Sequence, residues 1–172
     1  MDKLPNMETG EDAPEITIDT EVSADNVQFG PGFAVTVNAN QDARMERAGA
    51  MLINAGRNVE ISYGGATAIN AGGSAEVSFG GAMVMNVGGN VEISNGGAWA
   101  LNAAKNADLS NSVSLITLSP KVSAQHSTVG VLLSAKSELS EDTKVILNTP
   151  QVLALGAAAG AVFFLLRWLF RR

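Results

Sequence analysis

The residues best suited to chemistry stand in single file. Glu60, Glu76 and Glu92 recur every sixteen positions, and Asp108 continues the step. Carboxylate oxygens at a fixed repeat are the ligand type that Ca²⁺ takes, so Glu60, Glu76, Glu92 and Asp108 form a candidate cation column. The calcium nonapeptide of β-rolls, G-G-x-G-x-D, is absent, and the simpler reading is a solvated acidic face. At a strand spacing of ~4.8 Å, neighbouring carboxylates repel by about 0.9 kcal/mol in water. Salt, a basic partner or a divalent cation would relieve that repulsion; Arg44 heads the column, and Arg57 and Lys105 fall at nearby turns. Little else invites catalysis. The chain has one His (His126), one Tyr and no Cys, so disulfides and thiolate metal sites are excluded and no nucleophile–base–orienter set is visible. The expectation is a protein that is not an enzyme, with no cofactor and no small-molecule substrate.

The same step of sixteen organises the rest of the chain. Asn38, Asn54, Asn70, Asn86 and Asn102 form one column. Ile61, Val77, Ile93 and Leu109 form another, and Ser62, Ser78, Ser94 and Ser110 a third. Gly49, Gly65, Gly81 and Gly97 each precede an alanine. Sixteen residues are too few for a pair of helices. Each unit instead holds two short apolar runs divided by Gly- and Asn-rich turns, for which positive φ at Gly-Gly is the expected device. Stacked units make an all-β, two-sided parallel β-solenoid of about seven rungs between Thr17 and Leu147, with degenerate rungs at both ends. Stacked Asn amides are expected to hydrogen-bond along the rod.

Alternation assigns the faces. Val59 and Ile61 flank Glu60, and the later units repeat the pattern, so the apolar residues point in and the acids out. The other strand of each unit is apolar at both parities. Its larger set (Val35, Met51, Thr67, Met83, Trp99, Leu115 and Val131, with Val37, Ile53, Ile69, Met85, Leu101, Thr117 and Leu133) is assigned to the interior. The remaining parity includes Ala50, Leu52, Ala66, Ala68, Ala82, Val84, Ala98 and Ala100 and carries no charge. An uncharged outer wall is an association surface, so these residues are the expected oligomer face, packed against another copy.

At the end of the repeat, Thr149-Pro150 reads as a helix start. Residues 152–166 carry no charge, and counting to Phe170 gives nineteen residues, about 28 Å as a helix and close to the ~30 Å hydrocarbon core of a bilayer. Residues 148–172 are therefore expected to be one C-terminal transmembrane α-helix with an Arg-rich end. Arg167, Trp168, Arg171 and Arg172 would sit at the membrane interface, and Gly156 and Gly160 supply a G-x-x-x-G for helix packing. The implied localisation is a single-pass membrane protein contacting lipid. A tail anchor inserted after translation would leave the solenoid on the cytosolic side, since the first residues lack the features of a signal peptide.

Net charge is −6, and the first 21 residues account for all of it. The remainder is balanced, so no basic surface suits nucleic acid. Residues 1–16 read as an acidic mobile arm. The repeated short β-rungs over Thr17–Leu147 resemble, in architecture only, parallel β-solenoid structural polymers such as the bactofilins. They also look like membrane-anchored Asn/Gly-Gly repeat proteins of no assigned activity. The resemblance implies the fold and self-association. The functional expectation is a membrane-anchored scaffold whose solenoids associate laterally, as a homo-oligomer, into a ring, array or filament. The alternative is a membrane-held binding module, an adhesin or virion-type spike.

Overall fold

A computed structural model describes residues 17–157. Seventeen strands alternate along the chain between two sheets. The odd-numbered strands, from β1 (Thr17–Ala24) through β3 (Gly32–Ala39) to β17 (Lys144–Leu147), form a nine-stranded sheet. The even-numbered strands, from β2 (Val27–Phe29) to β16 (Lys136–Leu139), form an eight-stranded sheet. Neighbours in both sheets are parallel. The protein is a parallel β-solenoid repeat protein, of about eight turns rather than the expected seven. The end strands had hidden a turn because they lack the Asn and Gly-Gly markers.

Residues sixteen apart lie over one another through the centre: Ala50 pairs with Ala66, Asn54 with Asn70 and Asn70 with Asn86. The period shortens to fifteen towards both ends. Thr17 pairs with Gly32, Val113 with Thr128 and Lys121 with Lys136. Thr117 consequently stacks on Leu132, not on Leu133 as a constant period requires, and Leu132 rather than Leu133 is the buried residue.

The core is a file of large apolar side chains from each sheet. Val37, Ile53, Ile69, Met85 and Leu101 come from one, and Met45, Ile61, Val77 and Ile93 from the other, none more than 2% exposed. One rung alone buries neither file, and each turn is covered only by its neighbours.

Two expectations about local structure change. Positive φ falls not on the Gly-Gly pair but on the residue before it, at Tyr63, Phe79 and Asn95, and also at Arg47 and Asn111, which hold the same corner before Ala48 and Ser112; all five have φ of 48–56°. The following glycines are needed for proximity. A Cβ on Gly64, Gly80 or Gly96 would lie 1.7–1.9 Å from a backbone oxygen of the preceding rung. Thr149 is likewise not the helix cap. Asn148 and Gln151 cap the helix reciprocally, Asn148 N donating to Gln151 Oε1 (3.0 Å) and Gln151 N to Asn148 Oδ1 (3.3 Å). The Thr149 hydroxyl instead lies within 3.0–3.2 Å of the carbonyl oxygens of Ser134 and Leu132.

The expected C-terminal transmembrane helix is corrected. The described helix covers residues 149–157, about 14 Å at 1.5 Å per residue, less than half the ~30 Å of a bilayer core. Among the described residues no helix is long and apolar enough to cross a membrane, so the single-pass localisation has no support. An uncharged run measures the favourable transfer of side chains. It does not measure the unbroken helix that a span also needs to satisfy its backbone. Gly156 is in the short helix, exposed, with open space where a Cβ would stand. Gly160, Arg167, Trp168, Arg171 and Arg172 lie outside the described residues, as does the acidic arm 1–16.

Candidate functional site

The site is a surface, and a corner in the chain creates it. In β7 (Gly65–Ala71) the burial sequence is half-buried at Ala66, exposed at Thr67, half-buried at Ala68 and buried at Ile69. The same phase break occurs in β3, β5 (Ala48–Ala55), β9 (Gly81–Val87) and β11 (Gly97–Ala103). Two adjacent residues point outward and the inward parity switches. Thr67 and Met83 drop out of the pairing between β7 and β9, whereas Ala66–Ala82 and Ala68–Val84 remain in it. The strand bends here, and period-two alternation fails across a bend.

The bend divides the expected oligomer face. Ala50, Ala82 and Ala98 are buried at 4–7% exposure, and Ala66 is half-buried against the core. Ala50, Ala82 and Ala98 therefore belong to the core and not to the outer wall, which corrects their assignment, while Ala66, Ala82 and Ala98 still reach the floor of the surface groove beside the bend. Leu52, Ala68, Val84 and Ala100 do face outward, with Val84 51% exposed. The residues assigned inside, Val35, Met51, Thr67, Met83, Trp99 and Leu115, are on the surface, Trp99 at 65% and Leu115 at 56%.

The sequence held a signal that separates the two columns. Ala34, Ala50, Ala66, Ala82 and Ala98 are invariant in size, as an interior slot beside a tight bend requires. Val, Met, Thr, Met, Trp and Leu in the next column span too wide a volume range for one packed position.

The result is an uncharged wall along one side of the solenoid. Met51, Thr67, Met83, Trp99 and Leu115 form a ridge, and Leu52, Ala68, Val84, Ala100 and Ile116 continue round the bend. At the neighbouring corner the rings of Tyr63 and Phe79 stack, 4.9 Å apart and 3° from parallel. Between corner and ridge runs a groove of ≈ 740 Å³ floored by Gly81 and Gly97 and lined by Met83, Trp99, Val113 and Leu115.

The eight-stranded sheet presents the opposite chemistry. Glu60 pairs with Glu76, Glu76 with Glu92, and Glu92 with Asp108. Arg44 Nη2 reaches Glu60 Oε1 at 3.1 Å, whereas Arg57 pairs with Asp42 at 3.0 Å rather than with the column. Among the described residues no group of three His, Asp or Glu side chains is placed to hold a metal ion. Beyond the bend, Asn54 Nδ2 donates to Asn38 Oδ1 and Asn70 Nδ2 to Asn54 Oδ1, both at 3.0 Å, and Asn102 Nδ2 to Asn86 Oδ1 at 2.8 Å. Each amide's outward surface is thus partly satisfied along the rod, which makes this face polar but self-contained. His126 Nε2 lies 3.3 Å from Asp142 Oδ2, both exposed. No family model, curated protein or solved structure matches this chain.

Proposed function

We propose that the protein is a structural scaffold whose solenoids associate side by side through the uncharged wall. The observation that carries this is the asymmetry of the surface. One long side exposes Met51, Met83, Trp99, Val84, Leu115 and Ile116, while the acid column occupies another. Contiguous exposed apolar area of this kind marks an interaction site. The surrounding fold supports a passive role, because a solenoid is a rigid rod of repeated identical steps and nothing in the acid column brings an acid, a base and a nucleophile together. Copies that share a net charge of −6 repel at long range, and an uncharged wall is where they can touch without burying unpaired charge. Replacing Met83 and Trp99 together by Lys is expected to reduce the mass in solution to that of the 17.8 kDa monomer with an unchanged far-ultraviolet spectrum, since both side chains stand outside the core. A double variant with the wild-type mass overturns the reading.

A further inference from the structure

Resting on that side-by-side association, we infer that the wall pairs two copies as parallel rods, related by a two-fold axis along the rod, with the ridge of each seated in the glycine trough of the other. The trough column reads Phe33, Gly49, Gly65, Gly81, Gly97 and Val113, and the ridge column two residues on reads Val35, Met51, Thr67, Met83, Trp99 and Leu115. Both columns face outward on the same side of the bend. The trough cannot fill, because a Cβ on Gly65 or Gly81 would lie 2.4–2.5 Å from a backbone oxygen of the next rung.

A second copy fits this surface better than an unrelated partner for two reasons. The first is spacing. Ridge side chains enter successive glycine steps only if their own repeat equals the ~4.8 Å rung spacing, and a second copy carries that repeat. Gly65, Gly81 and Gly97 lie opposite Thr67, Met83 and Trp99, and the Phe33 ring, 3.2 Å from where a Cβ on Gly49 would stand, and Val113 end the trough and fix the register.

The second reason is area. Six rungs at ~4.8 Å by five residue steps at ~3.3 Å give about 500 Å² per copy. The pair then buries about 1,000 Å², the lower limit for a specific interface, and neither contributed surface holds a charged residue in the trough or ridge columns.

The symmetry follows from the side-by-side order of trough and ridge. A two-fold axis along the rod exchanges left and right without reversing the rod, so each ridge meets the partner's trough. A two-fold axis across the rod reverses the rod and sets ridge against ridge, where Trp99 and Met83 would hold the faces apart. The parallel arrangement is isologous and closes at two copies.

The chain has no cysteine, so single spin labels report the arrangement. Gln28, Glu76 and Ser123 belong to one column on the eight-stranded sheet, three rungs apart in each step and off the wall. In separate Gln28→Cys, Glu76→Cys and Ser123→Cys proteins, parallel rods give the same inter-copy label distance at all three positions by pulsed dipolar spectroscopy. Rods reversed about the wall's centre keep Glu76 short but add axial offsets of roughly 29 Å at both Gln28 and Ser123, which overturns the parallel pairing and leaves association standing. No dipolar coupling at any position means no pair forms, and the scaffold reading falls with the pairing.

Discussion

The rungs up to Asn111 and the rungs after it turn the same corner in different ways. In the column that follows the left-handed residue, the centre has Gly64, Gly80 and Gly96. In register with them, the C-terminal rungs have Ser112, Ser127 and Thr143. The glycines bring backbone against backbone, leaving no room for a Cβ. The hydroxyl residues turn their side chains inside instead. Ser112 Oγ lies 2.7 Å from Ser110 O and 3.0 Å from Ile93 O; Ser127 Oγ lies 2.7 Å from Gln125 O and 3.2 Å from Leu109 O; Thr143 Oγ1 donates to Ala124 O at 3.0 Å. Every buried side-chain polar atom among the described residues has a partner, as an interior hydroxyl must to offset its desolvation. The corner is thus closed in the central rungs by removing the side chain and in the C-terminal rungs by using it as a strut. The apolar ridge also stops at the change: the position that stacks on Leu115 is Gly130, and a Cβ there would lie 2.5 Å from Leu115 O.

The largest expected effect separates these two corners. Gly80→Ala places a methyl 1.7 Å from Gly64 O, and the only relief is to push adjacent rungs apart. Overpacking against backbone at this distance is expected to cost about 3 kcal/mol, read as a lower guanidinium midpoint by circular dichroism. A smaller loss is expected from Ser127→Ala in the C-terminal corner. That change keeps the backbone path and strands carbonyls that the hydroxyl served, at about 1–2 kcal/mol. Should Ser127→Ala prove the more damaging, close approach would not be the reason for the glycine column, and the distinction between the corners would collapse.

What the amino-acid pattern revealed, and what it concealed, follows from the same contrast. Direct stacking at sixteen residues was legible because Asn, Gly and Glu each mark a fixed place in the central rungs, and a parallel stack repeats its environment at every step. The Ile61, Val77 and Ile93 file was legible because its strand is straight, and alternation holds in a straight strand. The bend at Thr67–Ala68 was not, since alternation carries no information about where it should be reset. That single omission exchanged Ala50, Ala82 and Ala98 with Met51, Met83 and Trp99, interior for exterior. The fifteen-residue rungs were hidden for a related reason. Asn102 stacks on Leu118 sixteen residues on but Asn106 on Lys121 only fifteen on, so the residue is lost in the Ser119–Pro120 turn, where the Asn column has lapsed and no marker shows it. The apolar C-terminal run illustrates a third gap: the absence of charge over residues 152–166 reports composition alone, and the described helix reaches only residue 157.

The smallest expected effect contrasts the two regions electrostatically. Centrally, acids stack on acids. In the C-terminal rungs Glu138 sits between two lysines, 3.2 Å from Lys136 and 3.3 Å from Lys121. Hydrogen bonds from Lys136 and then Lys121, and the charges of both, hold its carboxyl below the usual value of 4.5. A carboxyl depressed by folding adds stability that is present above its unfolded value and is lost as pH falls through the folded one. Glu138→Gln is therefore expected to lower the unfolding midpoint slightly at neutral pH and to match the wild type once the carboxyl is protonated in both states. The effect stays small because the pair is exposed and screened. Salt should act with opposite sign in the two regions, weakening the Glu138 contribution while easing repulsion along Glu60, Glu76, Glu92 and Asp108. Glu138→Gln should thus lose its deficit in high salt, whereas Glu76→Gln should lose an advantage. A Glu138→Gln deficit that persists in acid or in high salt would show that the side chain supports β16 (Lys136–Leu139) by packing rather than by charge.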